Sequence, residues 1–173
     1  MLSIAQSWFS RRRLRSLSLL AFSVLSILVV GCSQPDRATL PNAADLIAAA
    51  GEVTVFRSPT CGCCGQWAEH LQAAGFQIKD ELTEDMDAVK AQYNIPDGFS
   101  ACHTAIVGDY VVEGHIPVED VIRLLAEKPD IAGIAVPGMP IGSPGMESGN
   151  YVEPYTVFSY TETGETAAFS AHS

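Results

Sequence analysis

Three cysteines, Cys61, Cys63 and Cys64, lie within four consecutive positions of this chain. They follow residues 52–57, whose β-branched and aromatic side chains predict a short buried strand, and they precede residues 67–75, which predict a helix. A cysteine between a strand and a helix N-terminus faces unpaired backbone N–H groups and the positive end of the helix dipole, which favour thiolate over thiol. Thiolates are the nucleophiles of disulfide exchange and the ligands of soft metals, so this spacing predicts redox or metal chemistry.

The elements around these cysteines alternate between strand and helix periodicity. Strand patterns cover residues 52–57, 76–79, 104–107 and 110–113, and helix patterns cover residues 67–75, 85–93 and 117–128. With right-handed crossovers, this order predicts an α/β domain with a thioredoxin-like fold. We assign the domain to residues 52–130, which is long enough to enclose one hydrophobic core.

The carboxyl-terminal part of the chain has a different composition. Residues 131–154 are apolar but rich in Gly and Pro, which exclude both helix and strand, so we expect an irregular loop that lies across the domain. Residues 155–160 and 165–170, separated by a turn at Gly164, predict a terminal β-hairpin. Residues 131–173 therefore form a Gly/Pro/Met-rich loop and a hairpin packed on the same domain.

The amino-terminal residues have the layout of an export signal. Arginines at positions 11–13 and 15 precede an apolar run over residues 17–30, and Gly31-Cys32 ends this run with a sequence that resembles a bacterial lipobox. We predict a lipoprotein-type signal peptide at residues 1–31, lipidation of Cys32, and a location on the periplasmic side of a bacterial membrane. A retained membrane anchor is the alternative, since the run is barely long enough to span a bilayer. Residues 32–51 then make a tether and a short helix.

The acidic composition excludes one class of partner. Residues 1–31 hold four of the ten basic residues and none of the twenty acidic ones, so the remainder of the chain carries a formal charge of −14. Nucleic-acid binding depends on Lys and Arg side chains that neutralise phosphates, so we exclude nucleic acid as a partner. The charge suits a domain tethered to the membrane through its lipid rather than one that lies on anionic headgroups.

Two further stretches carry metal-binding residue types. Cys102 and His103 precede the third predicted strand, and His115 follows the fourth. In a thioredoxin-like fold, the residue before the third strand faces the cysteine motif; thioredoxins usually place a cis-proline there, whereas this chain places Cys102 and His103. His70, within the first predicted helix of the domain, and His172, at the chain end, are expected to lie outside the site. The expected metal site consists of Cys61, Cys63, Cys64, Cys102, His103 and His115.

This set of ligands selects soft or borderline metals. Sulfur-rich sites bind Cu(I), zinc or iron–sulfur clusters, and an oxidising outer compartment disfavours the last of these. The surplus of sulfur, with the adjacent Cys63 and Cys64 able to bridge ions, favours several Cu(I) ions, and a tetrahedral zinc ion is the alternative. Met139 and Met146 either add thioether ligands over the site or only pack against it.

Four motifs resemble those of the CopG-like family of thioredoxin-fold copper-binding proteins. They are Val55–Trp67 with its Cys-x-Cys-Cys pattern, Cys102–Ala105, Glu113–Pro117 and Pro137–Glu147, and the resemblance spans residues 52–170. It implies a periplasmic copper-binding protein of a copper-resistance system, in which Cys61, Cys63 and Cys64 hold copper together with Cys102 and a histidine from the other loops. It also implies interconversion of Cu(I) and Cu(II), and other periplasmic copper-handling proteins as partners.

Three functions fit these residues. A copper/thiol oxidoreductase would pass electrons between copper and thiols, because bonding to thiolate stabilises Cu(I). A store or chaperone would hold or deliver Cu(I) without turnover. A thiol–disulfide exchanger would use Cys61 as its nucleophile and Cys64 as its resolving thiol, but the additional Cys63 and the missing cis-proline argue against it.

Overall fold

A mixed seven-stranded sheet organises residues 42–173, the part of the chain that this computed structural model describes. In chain order, the elements are α1 (Ala43–Ala50), β1 (Glu52–Arg57), α2 (Gly62–Ala74), β2 (Gln77–Leu82), α3 (Met86–Gln92), β3 (His103–Val107), β4 (Tyr110–Glu113), α4 (Val118–Glu127), β5 (Gly133–Ala135), β6 (Tyr155–Tyr160) and β7 (Thr166–His172). The strands lie in the order β2-β1-β3-β4-β5-β6-β7. The predicted α/β class is confirmed.

The hydrophobic core lies between the sheet and its helices. Val53 and Val55 alternate along β1 and are fully buried, as the strand pattern predicts for one face. Trp67 and Leu71 of α2 and Leu124 of α4 are also fully buried and belong to the same core cluster. Helix α2 is therefore anchored through its inner face, one turn beyond the cysteine loop.

The register of the sheet brings the two cysteine-bearing segments together. β1 is parallel to β2 and antiparallel to β3, and Arg57, the last residue of β1, pairs with His103, the first residue of β3. The chain continues from Arg57 into the cysteine loop and enters β3 through Cys102. The two segments therefore lie side by side at the same end of the paired strands β1 and β3.

Helix α2 begins earlier than its apolar pattern indicated. The sequence predicted a helix over residues 67–75, whereas α2 spans Gly62–Ala74 and has Cys61 as its N-cap residue. Residues 62–65 are Gly and Cys and carry no apolar period, so nothing in their pattern marks a helical turn. The helix ends where Gly75 adopts a φ of 107°, a left-handed conformation that glycine tolerates.

The prediction that Gly and Pro exclude strand structure from residues 131–154 was wrong at β5. This strand is buried between β4, to which it is parallel, and β6, to which it is antiparallel. A Cβ atom at Gly133 would lie 2.2 Å from the carbonyl oxygen of Val111, so the close approach of the two strands requires glycine. The terminal hairpin β6–β7 is observed, and β5 joins it to the sheet.

The predicted signal peptide at residues 1–31 and the lipidation site Cys32 lie outside the described residues. The segment assigned to the tether and short helix is described from Asn42 onwards, and the side chain of Asn42 caps α1 by accepting the N–H of Asp45 at 3.0 Å. Within residues 42–173, no helix is both long and apolar enough to cross a membrane.

Candidate metal centre

Four cysteine sulfurs meet at the amino end of α2. Cys61 precedes the helix, Cys63 and Cys64 lie in its first turn, and Cys102 lies immediately before β3. The four Sγ atoms lie within 4.8 Å of one another, and those of Cys61 and Cys63 are 3.5 Å apart. The structure therefore brings together all four cysteines that the sequence analysis selected as metal ligands.

Their oxidation state differs from the expected one. Cys61 and Cys64 are joined by a disulfide bond, and within residues 42–173 Cys63 and Cys102 carry free thiols. The predicted metal site requires thiolates at all four positions, whereas the exchanger alternative pairs Cys61 with Cys64. Because the thiolate form of cysteine is the metal ligand, the full set of four sulfur ligands exists only once this bond is reduced. The number of available ligands thus depends on the redox state of the chain.

A second group of ligand atoms shares Cys102. The ligand atoms of Cys102, His103 and His115 also lie within 4.8 Å of one another. Cys102 Sγ lies 3.0 Å from His115 Nε2 and 3.5 Å from His103 Nδ1. His115 Nδ1 lies 2.8 Å from the carbonyl oxygen of Pro144, which can only accept a hydrogen bond, so Nδ1 carries the proton. The lone pair of the neutral ring is then on Nε2, which faces Cys102.

His103 is held in an apolar setting. Its side chain is fully buried, and its ring centroid lies 4.3 Å from that of Trp67 and 5.0 Å from that of His115. Its Nε2 atom has no hydrogen-bond partner in the described part of the chain. Burial, reinforced by the electrostatic effects of the neighbouring His115 and Lys90, lowers the pKa of His103 well below the ordinary 6.5. The ring is therefore a neutral imidazole, the form that binds metals.

Burial also suppresses charge on the other members of this group. Burial, together with the nearby Cys63, raises the pKa of the Cys102 thiol to about 12. It lowers the pKa of His115, although the hydrogen bond to Pro144 acts in the opposite direction. A cation among these atoms would stabilise the thiolates and displace their protons, because metal binding and deprotonation of the ligands are coupled.

The segment from Pro137 to Glu147 lies against the amino end of α2. A Cβ atom at Gly145 would lie 2.6 Å from the carbonyl oxygen of Cys63, and His70 Nε2 lies 2.7 Å from Glu147 Oε1. His70 is thus a partly exposed residue outside the groups of ligand atoms, as expected. Of the two methionines in this segment, Met139 is 50% exposed and Met146 is half-buried.

The sequence analysis assigned no role to a buried ion pair beside the site. Lys90 of α3 pairs with Glu113 at the end of β4, and the Glu113 side chain is fully buried. A glutamate that ends an apolar strand was the available signal, because a buried carboxylate needs a partner. Glu113 lies two residues before His115 in the sequence, and its carboxylate accepts hydrogen bonds from Ala101 and Thr104, on either side of Cys102 and His103.

Two solved structures are similar to this chain. "Copper resistance protein copG- Form 1" is 40% identical with a TM-score of 0.67, and the match covers 71% of this chain and 98% of that one. "Copper resistance protein copG- Form 2" is also 40% identical with a TM-score of 0.68, and the match covers 70% and 98% of the two chains. The family model "Protein of unknown function, DUF411" matches residues 99–146, and no curated protein matches the chain.

The sheet and the paired Cys/His groups define an α/β protein with a candidate site for soft metals. Because 40% identity extends over nearly the whole length of the two similar structures, the chain belongs to the CopG family of copper resistance proteins. The segment from residue 99 to residue 146, which the family model matches, contains Cys102 and both histidines of the candidate site.

Proposed function

We propose that this protein binds copper as part of copper resistance and holds Cu(I) in a cluster of cysteine and histidine ligands. The ligands are Cys61, Cys63, Cys64, Cys102, His103 and His115. The observation that supports this proposal most directly is the overlap of two groups of ligand atoms, one of four sulfurs and one of a sulfur and two imidazoles, which share Cys102. The names of the two similar structures support copper as the metal.

The composition of the site favours Cu(I) over the alternative, zinc. Thiolate is a soft ligand and selects Cu(I), whereas a structural zinc site is complete with four ligands in a tetrahedron. Six ligand atoms in two overlapping groups exceed what one tetrahedral ion needs. A cluster of several Cu(I) ions, with Cys102 bridging the two groups, uses all of them.

The scaffold of this site is a thioredoxin-like arrangement. The order β2-β1-β3-β4, with β1 parallel to β2 and antiparallel to β3, supports it, as do α2 directly after β1 and α4 after β4. In this arrangement Cys102 occupies the position before the third strand, opposite the cysteine loop. A ligand thus replaces the cis-proline that thioredoxins usually have at this position.

The protein works on the periplasmic side of a bacterial membrane, tethered through a lipid on Cys32. The basic residues, the apolar run and Gly31-Cys32 at the start of the chain support export and lipidation. The disulfide bond between Cys61 and Cys64 is consistent with an oxidising compartment. Copper ions and other periplasmic copper-handling proteins are its partners.

The Cys61–Cys64 pair, once reduced to two thiols, gives the site a source of electrons for copper redox. In the reduced chain, Cys61 and Cys64 each give one electron to a Cu(II) ion; the S–S bond forms, two protons leave, and two Cu(I) ions result. Remaining thiolates and imidazoles then favour retention of Cu(I). An external dithiol that supplies two electrons would return the disulfide to thiols. A store or chaperone would use the same ligands without this cycle.

An anaerobic titration tests the copper proposal. Reduced protein is titrated with Cu(I) against a chelator, and bound metal is measured by elemental analysis. More than one Cu(I) per chain is expected, with fewer in the oxidised protein because only two thiols are then free. One zinc ion per chain and no copper would overturn the proposal. Reduction of Cu(II) with turnover in the presence of a dithiol distinguishes an oxidoreductase from a store.

A thiol–disulfide exchanger is the second candidate, favoured by the Cys61–Cys64 bond. The variant Cys63→Ser separates it from the copper protein, because Cys63 is outside the disulfide but within the group of four sulfurs. The copper protein loses part of its bound Cu(I) in this variant, whereas an exchanger retains its reductase activity towards a disulfide substrate. Unchanged copper binding in Cys63→Ser would favour the exchanger.

A further inference from the structure

One carboxylate holds both flanks of the Cys102–His103 pair. Glu113 Oε1 accepts the backbone N–H of Ala101 at 2.7 Å, and Glu113 Oε2 accepts the hydroxyl of Thr104 at 2.6 Å. Ala101 immediately precedes Cys102, and Thr104 immediately follows His103. The side chain of Glu113 therefore fixes the chain on either side of two ligands.

The backbone around Glu113 fixes the third ligand, His115, against the same segment. The N–H of Gly114 donates to the carbonyl oxygen of His103 at 3.0 Å. Gly114 has a φ of 79°, and a Cβ atom there would lie 2.6 Å from Ala101 Cβ and 2.8 Å from the carbonyl oxygen of Val136. The turn that carries His115 thus packs tightly on the residue before Cys102.

The carboxylate is itself held by Lys90. The Glu113 side chain has no exposed surface, Lys90 is 13% exposed, and Lys90 Nζ also lies 3.5 Å from Thr104 Oγ1. A buried carboxylate is strongly unfavourable unless it is paired and hydrogen-bonded, and apolar residues at such positions are often at least as stabilising as an ion pair. Stability alone therefore does not account for an ion pair at this place.

We propose that Glu113, held by Lys90, is a positioning residue for the copper site. It holds Cys102 and His103 close enough to His115 and to the cysteine loop for all of these residues to bind copper together. This inference rests on the proposed function. Removing the carboxylate releases the 101–104 segment, while the ligands themselves remain in the chain. Cys102 and His103 then move away from His115 and from the cysteine loop.

The test compares Cu(I) retention against a chelator in the reduced purified protein and in the variants Glu113→Ala and Glu113→Gln. Retention falls about 10- to 100-fold in Glu113→Ala, the range typical for residues that support metal ligands, and less in Glu113→Gln, whose amide oxygen can still accept the N–H of Ala101. Glu81→Gln, which removes an exposed carboxylate paired with Lys79, is the matched control and leaves retention unchanged.

A background variant distinguishes positioning from general destabilisation. If Glu113 acts through Cys102, Glu113→Ala weakens copper retention in the wild-type background but adds little in a Cys102→Ser background. Equal losses in both backgrounds would overturn the inference. Each variant is measured under conditions in which circular dichroism shows that it is folded. If Glu113→Ala does not fold, the comparison is made with Glu113→Gln.

A metal-free measurement keeps this inference separate from the copper proposal. Maleimide labelling of the reduced protein, read at Cys102 by peptide mass, should be several-fold faster in Glu113→Ala than in wild type, because the released segment exposes a thiol that is now partly buried. Absence of copper binding by the wild type would refute the proposed function but would leave the labelling result for Cys102 valid. Unchanged labelling of Cys102 would refute the role of Glu113.

Discussion

Trp67 joins the hydrophobic core to the candidate site through a single side chain. Its ring is fully buried and lies 4.3 Å from the ring of His103, and its Nε1 donates to the carbonyl oxygen of Ile116 at 2.8 Å. Ile116 directly follows His115, so this hydrogen bond ties the first turns of α2 to the turn that carries a ligand. Tyr160 offers a contrast: it is equally buried, but its hydroxyl has no hydrogen-bond partner among the described residues.

Removal of the polar atom should change the free energy of unfolding differently at these two residues. Trp67→Phe should lower the free energy of unfolding by about 1–3 kcal/mol through the unpaired carbonyl of Ile116, with a further loss from the smaller ring. Tyr160→Phe should be neutral or stabilising, because it removes a buried hydroxyl that gains nothing from its surroundings. Urea unfolding of the reduced, metal-free variants measures both. A comparable loss in Tyr160→Phe would contradict this account of the hydroxyl.

At the scale of elements, the segment from Pro137 to Glu147 acts as a cover on the amino end of α2. Its Pro144 carbonyl accepts from His115 Nδ1, its Gly145 packs on the backbone at Cys63, and its Glu147 pairs with His70. One irregular segment thus contacts a candidate ligand, the cysteine loop and the outer face of the helix. The conformation of this segment and the tautomer of His115 are coupled, because the Pro144 carbonyl oxygen accepts the proton on Nδ1.

Two glycines of this cover give a controlled test of its packing. Gly138 and Gly145 have φ values of 77° and 82°, but a Cβ atom at Gly138 would meet nothing within 4 Å, whereas one at Gly145 would lie 2.6 Å from the Cys63 carbonyl oxygen and 2.9 Å from Trp67 N. Both Ala variants should lose about 1–2 kcal/mol to the left-handed conformation. Gly145→Ala should lose about 1–3 kcal/mol more and should weaken Cu(I) retention. Equal effects in the two variants would show that the cover does not depend on this contact.

The elements that the sequence could predict are those with a local pattern. Alternation marks β1 and the terminal hairpin, and the apolar stripe marks α4. The sequence did not predict β5, because its three residues form a strand through pairing with two neighbouring strands and carry no pattern of their own. His172, to which we assigned no role, pairs with Asp120 of α4 at 2.7 Å, a contact across 52 positions that no local pattern contains.

The candidate site was predictable in its members but not in their state. Cysteine spacing and the place of Cys102 before a strand were sufficient to select the four cysteines that the structure brings together. The sequence paired Cys61 with Cys64 only in the thiol–disulfide exchanger alternative, and their disulfide forms at the start of α2. The support of the site by Glu113 was not predictable, because it depends on geometry that arises only when β3 and β4 meet. Residue types can indicate chemistry, whereas oxidation state and support are properties of the folded arrangement.

For the molecule as a whole, burial of two histidines couples stability to pH. Burial lowers the pKa of both His103 and His115 below 6.5 in the folded chain, whereas in the unfolded chain they take up protons near that value. Below pH 6.5 the unfolded state therefore binds more protons than the folded state, and stability falls as the pH falls. The decrease continues until the folded pKa values are reached.

The reduced, metal-free protein should therefore lose up to about 1.4 kcal/mol of unfolding free energy per pH unit for each buried histidine between pH 6.5 and 5. His115→Gln should reduce this slope while retaining a side chain that can donate to Pro144. Bound Cu(I) should stabilise the protein and should steepen the dependence, because protons then compete with the metal for imidazole nitrogen and thiolate sulfur. Urea unfolding at several pH values, with and without Cu(I), measures the three slopes. An unchanged slope in metal-free His115→Gln would show that His115 is not buried as a neutral ring, and with that the proposed ligand geometry at Cys102 would no longer stand.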